Sequence, residues 1–233
     1  MPQRRIPVAL AVVAALLAPG LAHAAVPLVP CHGNSGVRCA TVAAPLDRSG
    51  ATSGTVPLAV EVLPAAGMPR GVMFLIAGGP GQASAKVFDL AHDGKSWQRI
   101  FAGYTLVAYD DRGTGTSGPL SCPNLDSASA DATAQEVAVI VGACGDSIGP
   151  GRVFYGTPDQ AEDIETIRAA LGFGRIALWG TSYGTKQVVA YGLAHPDHVD
   201  RLLLDSVLQP EGPDAFATDE LRGIPLGDRK SVV

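Results

Sequence analysis

The sequence has few charged and aromatic residues and lacks the motifs of several common ligand sites. Charged residues make up 17% of the 233 positions and aromatic residues 6%, and the net charge of −5 comes without a basic cluster. This excludes the positively charged surface that nucleic acid requires. No C-x-x-C pair and no tight Cys/His cluster is present, which argues against a metal site. Since the P-loop and the G-x-G-x-x-G spacing are also missing, we expect no cofactor.

The first 24 residues have the organisation of a secretory signal peptide. Arg4 and Arg5 form a basic start, residues 8–17 are apolar, and Ala22-His23-Ala24 is a small-x-small cleavage site. The apolar stretch is too short to span a bilayer, and no later segment was identified that would replace it. We expect cleavage after Ala24, a secreted or periplasmic protein and no stable membrane insertion; a membrane anchor is the alternative. The rest of the chain can form one sizeable core.

Four cysteines in an exported chain predict two disulfides. Cys31 and Cys39 are close in sequence, and so are Cys122 and Cys144. Pairing by proximity is one of three possible connectivities and is the one we favour. His32, beside Cys31, is interpreted as a surface histidine.

Apolar runs and amphipathic segments alternate along the chain and predict strands and helices in turn. In the segment before Gly172, Thr157 is expected as an N-cap, with Pro158 in the first turn and Gln160 closing a capping box. Alternation of this kind predicts an α/β fold with a mainly parallel sheet and helices on both faces. The predicted strands lie at 56–64, 71–77, 104–109, 175–179 and 199–207, and the predicted helices at 132–143, 157–171 and 186–194.

The segment Gly180-Thr181-Ser182-Tyr183-Gly184 lies between a predicted strand and a predicted helix. A G-x-S-x-G turn at such a junction presents the serine as a nucleophile. Because the turn is sharp, the serine backbone is strained and small residues are needed two positions before and after it. The five-residue pattern alone is weakly specific, so its position between strand and helix carries the prediction.

A second glycine-rich segment, Gly78-Gly79-Pro80-Gly81, follows the predicted strand 71–77. Glycines let backbone amides approach a substrate closely. Ligands of open α/β sheets bind beyond the carboxyl ends of the strands, where this segment lies. It is interpreted as the first half of an oxyanion hole.

These motifs together resemble one family. The chain is similar to the proline iminopeptidase and tripeptidyl aminopeptidase branch of the α/β-hydrolases, which are secreted serine exopeptidases. The resemblance covers roughly residues 30–215. It implies that the chain ends before the last strands and the lid of the family's fold. Its motifs lie at residues 39–42, 45–47, 77–82, 109–117, 180–185, 194–196 and 199–207.

The resemblance implies roles for three residues. Ser182 would be the nucleophile that forms an acyl-enzyme. The backbone amides of Tyr183 and Gly79 would hold the oxyanion, each contributing roughly 3–4 kcal/mol to barrier reduction. The implied substrate is a peptide or a small molecule, cut by an exopeptidase. An esterase of the same fold and a non-catalytic binding domain are the alternatives. Ala77 departs from the family, in which many members carry histidine.

The acid and the histidine of a catalytic triad are not evident. After Ser182 the only histidines are His195 and His198, at the far end of the helix that follows the serine, where they are expected as surface residues. Asp205 could be an acid in some relatives but is normally structural in this branch. The loop residues Asp110, Asp111 and Arg112 are interpreted as bracing the loop. We therefore expect the acid and the histidine to be missing.

The predicted domain organisation follows from these points. Residues 1–24 are a signal peptide, and residues 25–227 are the N-terminal part of a hydrolase domain. Residues 228–233 match the translation of a common sequencing adapter, GATCGGAAGAGCGTCGTG, and are expected to be an artefactual tail. The chain is then expected to be an incomplete, inactive fragment of a serine hydrolase.

Overall fold

The computed structural model describes residues 26–122, 125, 127–129 and 131–208. The predicted signal peptide, the predicted tail and residues 209–227 of the predicted hydrolase domain lie outside the described residues.

Seven strands form one sheet, namely β1 Val29–Pro30, β2 Arg38–Pro45, β3 Thr55–Leu63, β4 Gly71–Ile76, β5 Tyr104–Tyr109, β6 Ile176–Thr181 and β7 Val199–Asp205. Their order in the sheet is β1-β2-β3-β5-β4-β6-β7. The four strands β5, β4, β6 and β7 run parallel, whereas β1, β2 and β3 extend the sheet in antiparallel pairings. The predicted α/β fold with mainly parallel strands is confirmed.

Helices cover both faces of this sheet. They are α1 Ser84–Phe88, α2 Gly94–Ile100, α3 Ala134–Ile148, α4 Thr157–Ala170 and α5 Gly184–Ala194, and 3₁₀ segments lie at Gly149–Tyr155 and Pro196–His198. The face bearing Phe74 and Leu178 packs against α4 and α5 through a core that includes Ile164 and Tyr191. The opposite face packs against α1 and α2, with Phe88 in its core.

The apolar pattern explains which residues form the core. The central strand β4 reads Gly-Val-Met-Phe-Leu-Ile and is buried over its last four residues, as expected of a strand covered on both faces. In α4 the predicted apolar stripe is buried at Ala161, Ile164 and Ile167. A three- and four-residue spacing places these side chains on one helix face, which faces the sheet.

Helix α3 contrasts with the other long helices, because none of its residues is buried. Thr133 caps it in a capping box with Glu136. Within the 22-residue stretch Ala134–Tyr155, an 18-residue window has a mean hydropathy of 1.3, and by length and composition alone the stretch could span a membrane. Among the described residues it is the one helical stretch that meets this criterion, and the sequence-based expectation had overlooked it.

Both predicted disulfides are present. Cys31 pairs with Cys39, and Cys122 pairs with Cys144. The first closes a short loop at the start of β2, and the second ties α3 to the loop that follows β5.

Candidate active site

Ser182 occupies the turn between β6, which ends at Thr181, and α5, which begins at Gly184. Its φ of 52° lies in the left-handed region, which non-glycine residues rarely adopt. Such a conformation costs on the order of 1–3 kcal/mol and persists only where the surroundings enforce it. The strain expected of the serine from the sequence pattern is therefore present at this position.

The two flanking glycines are required by close backbone contacts. A Cβ at Gly180 would lie 2.6 Å from the carbonyl oxygen of Gly184. A Cβ at Gly184 would lie 2.6 Å from the carbonyl oxygens of both Ile76 and Ala77. Backbone atoms cannot yield as a flexible side chain could. The glycine spacing thus serves the tight approach of α5 to β4 and β6.

Backbone hydrogen bonds hold the turn on either side of Ser182. The amide of Ser182 donates to the carbonyl of Asp205 at 2.8 Å, which joins the turn to the end of β7. The hydroxyl of Thr185 donates to the carbonyl of Ser182 at 2.7 Å and accepts from the amide of Leu208 at 3.0 Å. The peptide groups around the serine are therefore anchored to the neighbouring strand and to the chain that follows it.

The Gly78–Gly81 loop packs directly against the serine. A Cβ at Gly78 would lie 2.9 Å from Cβ and 3.4 Å from Oγ of Ser182. Gly79 has a φ of 109°. Within the described part of the chain, the backbone amides of Gly79 and Tyr183 donate no hydrogen bond. Both are therefore available to an oxygen atom bound beside Ser182.

Buried polar side chains support this loop from behind. The buried hydroxyl of Ser84 accepts a hydrogen bond from the amide of Ala77 at 2.9 Å. The carboxylate of Asp110 accepts from the amides of Ala85 at 3.1 Å and Thr116 at 2.9 Å. These bonds link the glycine loop, the start of α1 and the loop after β5 into one rigid edge, and they agree with the bracing role expected of Asp110.

The side chain of Tyr183 anchors the turn to α4. Its hydroxyl lies 2.7 Å from Oγ1 of Thr157 and donates to Oε1 of Gln160 at 3.3 Å. The predicted capping box is therefore wrong, because Gly156 is the N-cap and neither side chain caps the helix. Thr157 and Gln160 instead hydrogen-bond the hydroxyl of the buried Tyr183. A local sequence pattern cannot reveal this partner, because it lies far away in the chain. Pro158 does lie in the first turn, as predicted.

Arg112 is buried and hydrogen-bonds several separate segments of the chain, in agreement with its expected bracing role. Its guanidinium donates to both carboxylate oxygens of Asp163, from Nε at 2.7 Å and from Nη2 at 2.6 Å. It also donates to the backbone carbonyls of Pro45, Leu46 and Phe154. These bonds connect β2, α4 and the 3₁₀ segment after α3.

Asp111 forms a second buried polar contact, with the first turn of α5. Nε2 of Gln187 donates to Oδ2 of Asp111 at 2.7 Å. Burial raises the pKa of Asp111 to about 7, against the effect of that hydrogen bond. The Tyr109 hydroxyl, Oδ1 of Asp111 and Oε1 of Gln187 are buried without a hydrogen-bond partner in the described part of the molecule. Sequence reasoning missed the contact of Gln187, because it joins residues far apart in the chain.

The structure does not bring a histidine to the serine. The four described histidines each contact a carboxylate elsewhere, in the pairs His32–Glu61, His92–Asp89, His195–Glu162 and His198–Glu165. His195 lies at the far end of α5, about 16 Å from the turn by the rise of an 11-residue helix. No described side chain hydrogen-bonds Oγ of Ser182. His195 and His198 are half-buried and lie within hydrogen-bond distance of Glu162 and Glu165 of α4, a contact that sequence reasoning did not foresee.

Asp205 lies at the end of β7, beside the strand that leads to Ser182. Its side chain is exposed and accepts a hydrogen bond from the hydroxyl of Ser206 at 3.1 Å, while its carbonyl holds the amide of Ser182. The backbone contact agrees with the structural role expected of this residue.

Two groups of described residues have the composition of a metal site. One comprises Cys31, His32 and Cys39, but its sulfur atoms are joined in a disulfide and cannot ligate. The other comprises Glu165, His195 and His198. Neither lies at Ser182.

The family of the chain follows from comparison with known sequences. The sequence family described as alpha/beta hydrolase fold matches residues 71–227, which include the Gly78–Gly81 loop and Ser182. The chain belongs to the α/β-hydrolase family.

Two curated relatives of this α/β-hydrolase are peptidases by name. The chain is 32% identical over 193 residues to tripeptidyl aminopeptidase of Streptomyces lividans and 30% identical over 195 residues to serine protease Hip1 of Mycobacterium tuberculosis. Both alignments cover 75% of this chain and 36% of the relative. The hydrolase chain thus spans about a third of the length of these relatives. The resemblance predicted from its motifs is confirmed.

Among solved structures, a proline iminopeptidase-related protein from Thermus thermophilus is similar to this α/β-hydrolase at 20% identity and a TM-score of 0.44. The similarity covers 72% of this chain and 44% of that chain.

Proposed function

We propose that the whole protein is a secreted serine exopeptidase that releases N-terminal residues or short peptides through an acyl-enzyme on Ser182. The observation that carries the proposal is the strained serine packed against Gly78, with two backbone amides beside it that donate to no described residue. The names of the two curated relatives support a peptidase over other hydrolases.

The proposed chemistry uses three groups of this chain. Oγ of Ser182 attacks the scissile carbonyl carbon, and its proton passes to a histidine of the whole protein, which then protonates the leaving amine. The amides of Gly79 and Tyr183 donate to the oxyanion, each contributing roughly 3–4 kcal/mol. Water then attacks the ester carbonyl, and its proton returns through the histidine as Ser182 is released.

We propose that the triad acid and histidine lie outside the described residues. The four described histidines all pair with carboxylates away from Ser182, which supports this. Sequencing the source DNA from codon 215 onward tests the proposal. An open frame that encodes an aspartate and then a histidine supports it. A natural stop directly after codon 233 would favour a non-catalytic binding domain.

The activity itself is tested with the complete gene product. We expect turnover of a tripeptide p-nitroanilide with a free amino terminus, and loss of turnover when that terminus is acetylated. Replacing Ser182 by alanine should lower turnover on the order of 10⁶-fold while the far-ultraviolet circular dichroism stays unchanged. Ser147→Ala, at an exposed position of α3, is the matched control and should retain full activity.

Three results would contradict this proposal in different ways. Activity that survives Ser182→Ala would refute the nucleophile. Cleavage of p-nitrophenyl esters without peptide cleavage would indicate an esterase. Equal cleavage of the acetylated tripeptide would exclude an exopeptidase that needs a free amino terminus.

We also propose that the protein is exported and then stays free of stable membrane insertion, with a peptide or small molecule as its binding partner. Two disulfides in the described structure support an oxidising compartment. Amino-terminal sequencing of the mature protein should begin at Ala25. An intact Met1 on the exported protein would contradict cleavage.

A further inference from the structure

Two glutamates and two histidines meet where α4 passes the end of α5. Oε1 of Glu162 lies 2.9 Å from Nε2 of His195, and Oε2 of Glu165 lies 3.1 Å from Nδ1 of His198. Both glutamates project from α4, one turn apart. His195 is the C-cap of α5, and His198 ends the 3₁₀ segment that follows. The four side chains therefore come from two separate elements that converge at one surface.

The ligand atoms of this cluster are close enough to share one ion. One oxygen of Glu165 and one ring nitrogen each of His195 and His198 all lie within 4.8 Å of one another. The rings of the two histidines are nearly parallel, at an interplanar angle of 11° and a centroid separation of 6.1 Å. Neutral imidazole and carboxylate are ligands that zinc and related divalent ions accept.

We propose that Glu165, His195 and His198 form a binding site for a divalent transition-metal ion such as Zn²⁺, with Glu162 beside it as a further carboxylate. The ion takes the place of the His198–Glu165 hydrogen bond. With three protein ligands, the remaining coordination positions are filled by water or by Glu162.

The neighbours of Glu165 hold this carboxylate in place. Arg168 donates to both of its oxygens, at 2.8 and 2.6 Å, and the hydroxyl of Tyr191 donates to Oε2 at 3.1 Å. Although burial acts in the opposite direction, the Arg168 guanidinium lowers the pKa of Glu165 to about 2, so the carboxylate is ionised at neutral pH. Outer partners of this kind orient metal ligands. Arg168 also contributes a positive charge, which Glu162 offsets.

The proposed metal site is separate from Ser182, and its effect would be to stabilise the folded state. Helix α5 carries Ser182 at one end and the histidines at the other, about 16 Å away. A bound ion would cross-link α4 to the end of α5. An ion that binds the folded chain and not the unfolded one stabilises the fold by mass action. The proposal does not depend on the proposed peptidase activity.

Calorimetric titration of the metal-stripped complete gene product with ZnCl₂ at about pH 7.5 tests the site. The chain is kept non-reduced, so that Cys31 and Cys39 stay in their disulfide. We expect one saturable equivalent and a higher midpoint of thermal unfolding with Zn²⁺ than with a chelator. His195→Ala, His198→Ala and Glu165→Gln should each weaken binding at least about tenfold.

Control variants distinguish binding at this site from Zn²⁺ binding by other histidines of the protein. His92→Ala removes an exposed histidine that also pairs with a carboxylate, and it should leave Zn²⁺ binding unchanged. Ser182→Ala should bind Zn²⁺ as wild type does. Failure of the peptidase proposal can therefore be distinguished from failure of the metal-site proposal. His198→Gln keeps a hydrogen-bonding side chain of similar size, and it serves if the alanine variant loses its circular dichroism.

Absence of saturable binding to the wild-type chain would overturn the proposal. So would Zn²⁺ affinity that stays the same in His195→Ala and His198→Gln, since the ion would then be held elsewhere.

Discussion

The turn around Ser182 and the helix α3 use similar small and apolar residues with opposite structural results. A Cβ at Gly180 or Gly184 would run into backbone atoms at 2.6 Å, whereas a Cβ at Gly142 of α3 meets nothing within 4 Å. Helix α5 buries six residues next to the serine turn, and α3 buries none. Composition therefore does not decide which segment is packed.

The helix α4 shows what does decide it. It carries acidic and basic residues, yet it buries Ala161, Ile164 and Ile167 along one face. The carboxylate of its Asp163 accepts a hydrogen bond from the buried guanidinium of Arg112. A narrow apolar stripe with a satisfied polar anchor directs a helix onto the sheet. In α3 the apolar side chains of Val137, Val139 and Val141 are exposed, and in the described structure the Cys122–Cys144 disulfide ties α3 to the loop after β5.

Loss of the Arg112 side chain should have the largest effect, because this residue joins α4 to the segment that follows α3. Its Nη1 donates to the carbonyl of Phe154, in the segment after α3, at 2.7 Å, and its other nitrogens bind Asp163 of α4. Arg112→Ala should lower the free energy of unfolding by about 3–5 kcal/mol, since it leaves buried acceptors unpaired. Urea unfolding measures this. The exposed Arg201→Ala is the control and should change little; equal losses would refute the role of burial.

A methyl group at the serine turn should have the next largest effect. Gly184→Ala places a Cβ against the carbonyl oxygens of Ile76 and Ala77, so α5 must move away from β4. We expect a loss of about 2–3 kcal/mol in the free energy of unfolding. Labelling of Ser182 by a fluorophosphonate probe in the complete gene product should fall as well. Stability equal to wild type would show that the contact is not tight.

The buried Asp111 should make the stability of the region around Ser182 fall as the pH rises, unlike α3, where hydrogen bonds from Thr133 lower the pKa of the Glu136 carboxyl. Burial raises the pKa of Asp111 to about 7, above an unfolded value of about 4. Between these values the folded chain holds a proton that the unfolded chain releases, so stability falls as pH rises from about 4 to about 7. Asp111→Asn should therefore gain stability relative to wild type as the pH is raised through this window.

Urea unfolding at about pH 4.5 and pH 8 measures that change. Ser147→Ala, at an exposed position of α3, removes no titratable group; it is the control and should show the same difference from wild type at both pH values. A constant difference for Asp111→Asn would contradict the raised pKa.

The smallest effect, of opposite sign, is expected in α3. Gly142→Ala adds a methyl group in open space within a helix. It should raise the free energy of unfolding by roughly 0.5–1 kcal/mol, because alanine has the higher helix propensity. The same glycine-to-alanine change would then stabilise one region and destabilise the other. A loss of stability in Gly142→Ala would remove this contrast.

Local patterns predicted the elements around the site well. The strand 104–109 matches β5 at both ends, and the two cysteine pairs chosen by proximity are those observed. The glycines on either side of Ser182 were expected to be needed for space, and they are. These features depend on residues a few positions apart, or on a parallel α/β sheet that places successive strand ends at one edge.

Contacts across the fold were the ones that sequence reasoning missed. Thr157 and Gln160 fit a capping box, but they bind the hydroxyl of Tyr183 instead. His195 and His198 lie at the surface as expected, but their contacts with two glutamates of α4 were not foreseen. In each case the competing partner lies more than twenty residues away, so no local pattern could identify it.

The sequence by itself determined the alternation of strands and helices and the strained serine turn, because both follow from short-range sterics and residue spacing, and its motifs resembled those of the family. Only the tertiary structure decided which polar groups meet. The packing of α4 against α5 brings Tyr183 to Thr157 at one end and the histidines to the glutamates at the other. Hydrogen bonds and ion pairs act over a few ångströms, so they form only where the packed helices place their partners.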